Sequence, residues 1–185
     1  MTWDAFHHRG DVLRQVVDEA NARRDGTLPM ELPGVTETFG DEFHLVAALQ
    51  LRWHTRLAGH VERALMEQPS DLESAVLSAW RGTASELVGV RRILDALRAA
   101  PTTPQIGEAL ATAHHKDAVL LAAMAGKANA GDANAVRIGE RIEEQARAAY
   151  NPTATPRHLR TEQDAPRATR RTAGLLDRIK AHLAA

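Results

Sequence analysis

The stretch Asp41–Glu67, DEFHLVAALQLRWHTRLAGHVERALME, runs for 27 residues with no Pro and a single interior Gly, Gly59. As a helix it would be about 40 Å long, more than the width of a small domain, so the neighbouring segments must pack along it. At 3.6 residues per turn Val46, Leu49, Trp53, Leu57, His60 and Ala64 fall within about 40° of Trp53. Ala47, Leu51, Ala58 and Leu65 make a second apolar strip. Two strips predict a helix covered on two sides, at the centre of a bundle.

The flanking segments read the same way. Trp3 to Arg24 carries Trp3, Phe6, Leu13, Val16, Val17 and Ala20 on one face and ends at Asp25-Gly26. Residues 26–40 hold Pro29, Pro33, Gly34 and Gly40 and read as a connection with one helical turn at Val35 to Phe39. Ser70-Asp71-Leu72-Glu73 has the form of a capping box and starts a helix running to about Ala99. Its face is Leu72, Val76, Ala79, Trp80, Leu87, Val90, Leu94 and Leu97, with Gly82 and Gly89 placed to allow a bend or a close approach. Thr103 as N-cap with Pro104 at the first position starts another, to about Gly126. A fifth spans about Asp132 to Tyr150 and stops at Asn151-Pro152. Residues 151–168 read as an extended Pro/Thr/Arg linker, and Pro166 to Ala184 as a short tail helix with a Leu175, Leu176, Ile179, Leu183 stripe.

The expected architecture is therefore all-α: an antiparallel helical bundle of four to five helices over residues 1–150, then the linker and amphipathic tail helix over 151–185. Aromatic residues make up only 4% of the chain, and the abundance of Ala suits helices that pack closely. The absence of Cys excludes disulfides and thiolate metal sites. No apolar run approaches the roughly 20 residues of a membrane span, and no signal sequence is visible, so no membrane partner and a cytoplasmic location are expected.

The net charge of −1 is unevenly placed: residues 1–50 hold four Arg and nine acids, residues 151–185 seven Lys or Arg and three acids. The basic tail (Arg157, Arg160, Arg167, Arg170, Arg171, Arg178, Lys180) is the one feature that would suit nucleic acid. Against that reading stand a near-neutral balance and the lack of interleaved aromatics, and nucleic acid is not the expected partner.

Chemistry, where the sequence suggests any, lies in polar residues on apolar faces. His60 falls on the main face of the central helix, Glu86 on the flank of the next, and His114 and Asp117 together on the stripe formed by Ile106, Leu110, Ala113, Leu121 and Met124. Two imidazoles and two carboxylates are the donor types that bind zinc, iron or manganese in a bundle. The competing reading is a set of buried pairs that satisfy one another. The two Glu-x-x-His motifs of di-iron carboxylate bundles are not there: Asp41-x-x-His44 has the shorter acid, and His114-x-x-Asp117 reverses the order. Gly126-Lys127 is not a phosphate-binding loop, since Ala128 follows the Lys and Leu121 stands where the motif needs Gly.

The function expected from these features is a non-enzymatic helical interaction or scaffold module that self-associates as a homodimer and needs no cofactor. The alternative is a bundle binding a divalent transition metal or a small ligand through His60, His114, Asp117 and Glu86.

Overall fold

A computed structural model of the chain describes residues 3–129 and 131–150, with side chains from residue 7 onward. The expectations for the linker, the tail helix and the basic tail, and for the side chains of Trp3 and Phe6, lie outside the described residues. Within them the fold is all-helical: α1 (Trp3–Arg23), α2 (Val35–Phe39), α3 (Glu42–Glu67), α4 (Leu72–Glu86), α5 (Val88–Ala99), α6 (Pro104–Met124) and α7 (Ala135–Ala148).

The helix starts follow from local chemistry. Asp41 caps α3 by accepting from the His44 N–H at 2.9 Å, and Thr103 caps α6 by accepting from the Ile106 N–H at 3.3 Å. At α4 the cap sits one residue later than the capping box suggests. Asp71, not Ser70, accepts from the Ser74 N–H at 3.1 Å, and Glu73 pairs with Lys127 at 2.8 Å. A carboxylate at this position also meets the positive end of the helix dipole, which a hydroxyl does less well.

The helix expected from Leu72 to Ala99 is two helices. The chain leaves helical geometry at Leu87, with φ −116° and ψ 41°. The backbone groups freed there are taken by α1: Asn21 Nδ2 donates to the Glu86 carbonyl at 3.0 Å, and the Gly89 N–H donates to Asn21 Oδ1 at 2.8 Å. A Cβ at Gly89 would lie 1.9 Å from the Ala20 carbonyl oxygen, so the α1/α5 approach requires Gly.

The hairpins α3/α4 and α6/α7 are antiparallel neighbours joined by short connections. The long-range pairs run the other way. Along α3 and α6, Glu42 meets Thr102 and His54 meets Asp117, so the two helices advance together. The core lies between α3, α4 and α5, where Trp53 and Trp80 are 1% and 2% exposed and meet edge to face at 5.9 Å. The α3 strip of Ala47, Leu51, Ala58 and Leu65 does not form a second buried face. Leu51 is 66% exposed, Ala47 is exposed, and the other two are half-buried. Among the described residues no helix is long and apolar enough to cross a membrane.

Candidate functional site

The four polar residues singled out in the sequence are not assembled into one constellation. His60 Nε2 pairs with Glu86 Oε2 at 3.0 Å, and Arg56 holds the other Glu86 oxygen at 2.7 Å. This pair lies across the α3/α4 contact, beside Gly82, whose missing side chain makes room for the imidazole. Asp117 pairs with His54, and His114 with Arg98. Among the described residues no group of three or more His, Asp or Glu side chains is arranged to hold a metal ion.

His114 belongs to a charged network inside the α5/α6/α7 junction. Asp95 accepts from Arg91 at 2.6 Å and from both terminal nitrogens of Arg147 at 2.9 Å. Arg147 also donates to Glu143 at 2.6 and 3.0 Å. The two guanidinium groups stack on the central indoles, Arg91 4.6 Å from the centre of Trp53 and Arg147 5.1 Å from that of Trp80. Burial works to push the Asp95 carboxyl up, but the hydrogen bonds from Arg147 and the charge of Arg91 hold it below the usual carboxylate range. Arg98 Nη1 donates to His114 Nδ1 at 2.7 Å, which leaves the ring proton on Nε2, toward Glu140. Burial pushes the His114 imidazole below its ordinary value; Glu143 opposes this and Arg98 reinforces it. The network is satisfied internally apart from Arg91 Nε, which finds no acceptor among the described residues. It reads as a structural brace across three helices.

Asp117 belongs to a different setting. Between α3 and α6 runs an open cleft of about 380 Å³ whose walls are mostly apolar, including Val46, Ala47, Leu51, Ile106, Leu110 and Ala113. Phe43 lies at one end and His54, Lys116 and Asp117 at the other. On its floor Asp117, 5% exposed, accepts from His54 Nδ1 at 2.6 Å and from Gln50 Nε2 at 3.1 Å. The carboxylate fixes the imidazole so that Nε2 is the edge left for a ligand, and Nε2 has no partner among the described residues. Behind the floor a crevice of about 10 Å³ is bordered by Gln50, Arg91, Arg98, His114 and Asp117, so the cleft and the brace share a wall.

Sequence reasoning flagged Asp117 and missed its partner. The usable signal was the row Phe43, Ala47, Gln50, His54 at helical spacing along one flank of α3, opposite an acid on an apolar stripe. The brace was announced by Arg91/Asp95 and Glu143/Arg147, both four residues apart. Compared with protein-family models, curated proteins and solved structures, the chain finds no match.

Proposed function

We propose that this chain is a non-enzymatic binding module whose α3/α6 cleft takes a small amphiphilic molecule. The observation that carries the reading is one apolar cleft, of the volume range that holds small ligands, with its polar groups gathered on the floor around a buried carboxylate. Among the described residues, those lining it include an oriented imidazole but no hydroxyl or thiol for that imidazole to activate, which favours binding over nucleophilic catalysis.

The neutral fluorophore N-phenylnaphthylamine tests this reading. It is expected to bind the full chain saturably at one site, with a rise in fluorescence. Ala109 of α6 also lines the cleft, and Ala109→Trp, which fills it from that side, is expected to abolish binding while the circular dichroism stays unchanged. Binding that survives Ala109→Trp, or no binding at all, overturns the proposal.

A second reading rests on Leu51, whose 66% exposure places a large apolar side chain on the cleft rim. A second copy of the chain would cover this face and make the module a homodimer. Light scattering at micromolar concentration would then give twice the monomer mass, reverting to monomer in Leu51→Glu. A monomeric wild type, or a dimer indifferent to that change, removes this second reading.

A further inference from the structure

The polar groups of the cleft differ in what they offer a ligand. Among the described residues Asp117 is the one carboxylate on its wall, and its two oxygens are engaged by His54 and Gln50. Lys116, the next residue on α6, is exposed and borders both the cleft and the shallower groove outside it. It has no carboxylate partner among the described residues. His54 presents Nε2, the ring edge that the contact of Nδ1 with Asp117 leaves open to the cleft. What faces a ligand at this end is therefore one unpaired ammonium and one imidazole edge.

Polarity is also segregated along the cleft. Because α3 and α6 advance together, Phe43 and Ile106 stand at one end and His54 and Asp117 at the other. Eleven residues separate the members on each helix, which at 1.5 Å per residue is about 16 Å. Only Gln50 interrupts the apolar stretch, and its amide is turned to Asp117.

Resting on the cleft reading above, we infer that the ligand is an anionic amphiphile: an aliphatic monocarboxylate whose chain lies between Val46, Leu51, Ile106 and Leu110 and whose head group meets Lys116 Nζ and His54 Nε2. The carboxylate completes the charge that Lys116 lacks, and the chain covers the apolar walls. Asp117 does not touch the ligand; it is a positioning residue that holds the imidazole.

Titration calorimetry of the full chain with octanoate, octanol and octylammonium, which share one chain and differ in head group, tests this. Octanoate is expected to bind one to one and about ten- to a hundredfold more tightly than octanol, the range of one or two charge-assisted hydrogen bonds. Octylammonium is expected to be the weakest of the three. Lys116→Glu lies on an exposed position that the fold does not use, and is expected to erase the preference for octanoate while leaving octanol unchanged. Added salt is expected to weaken octanoate and not octanol. If octanol or octylammonium binds as well as octanoate, and Ala109→Trp blocks all three, the head-group assignment is overturned while the cleft stands. If none of the three binds, or if Ala109→Trp leaves octanoate untouched, the cleft reading fails and this inference with it.

Discussion

Replacing Asp117 by Leu separates a carboxylate kept for binding from one kept for folding. The side chain is 7% exposed and is held by His54 at 2.6 Å and Gln50 at 3.1 Å. Hydrogen bonds to a charged group contribute about 1.5–3 kcal/mol each, so the two together contribute about 3–6 kcal/mol. Withdrawing a carboxylate from water costs several kcal/mol, which nearly cancels that gain. The His54 side chain is 43% exposed and Gln50 is half-buried, so both donors can turn to water once the carboxylate is gone. Leu at this position continues the apolar wall of Val46, Ile106 and Leu110. Apolar replacement of a buried ion pair is commonly neutral or stabilising by about 1–4 kcal/mol. In urea at neutral pH, Asp117→Leu is therefore expected to unfold at or above the wild-type midpoint with an unchanged slope. Asp117→Ala, which leaves the space unfilled, is expected to lose about 1–3 kcal/mol. Both variants release the His54 ring and are expected to weaken, without erasing, the preference for octanoate that Lys116 still supplies. If the Leu variant is destabilised by more than about 2 kcal/mol, the pair holds the fold and the reasoning from compensation is refuted.

Other positions give contrasting expectations. Asp95→Ala leaves the buried Arg91 without its carboxylate, while the half-buried Arg147 keeps Glu143; stranding one buried charge costs up to about 3–5 kcal/mol, a fall in melting temperature of at most roughly 6–20 °C by calorimetry at this size. The His114 imidazole is held below its ordinary value by burial, among Arg91, Arg98, Glu140 and Glu143. Its depressed value favours the neutral folded form, so that stability is present above about pH 6.5 and is lost as pH falls through the folded-state value. The urea midpoint should accordingly decline from about pH 7 to about pH 5, with a shallower decline in His114→Gln; an equal decline in both assigns the effect elsewhere. Gly139→Ala would place a methyl 1.8 Å from the Ala118 carbonyl oxygen and should destabilise by at least about 1–3 kcal/mol. Gly59→Ala meets nothing within 4 Å on an exposed turn of α3 and should stabilise by about 0.5–1 kcal/mol; chemical denaturation reads both.

Where a feature is decided by neighbours in the chain, the sequence reveals it. The caps at Asp41 and Thr103, the single turn of α2 and the end of α3 at Gln68 all follow from residues within one turn of the feature. The break at Leu87 is decided from a distance. It is stabilised by Asn21, which lies 65 and 68 positions away from the two groups it bonds. Nothing around Leu87 forbids a continuous helix, and the local apolar pattern runs through the break without a change of period.

The candidate site shows the same division, and its geometry explains which residue was misplaced. A fixed sector centred on Trp53 puts His60 inward and His54 aside. The residues of α3 buried to 1% or less are Leu45, Leu49, Trp53, Leu57 and Val61, a strict four-residue step. Such a row turns about 40° around the helix with each step, because neighbours pack along the inclined ridge and not along a line parallel to the axis. By the last turns of α3 the ridge has carried the buried position to Val61, and His60 is left at the edge, where Glu86 meets it. In the middle of the helix the same inclination leaves the flank of Phe43, Ala47, Gln50 and His54 uncovered by α4 and open to α6. The cleft is thus a consequence of how α3 is crossed. A lone acid on α6 could be recognised from its apolar surroundings, but its partner could be found only once the crossing was known.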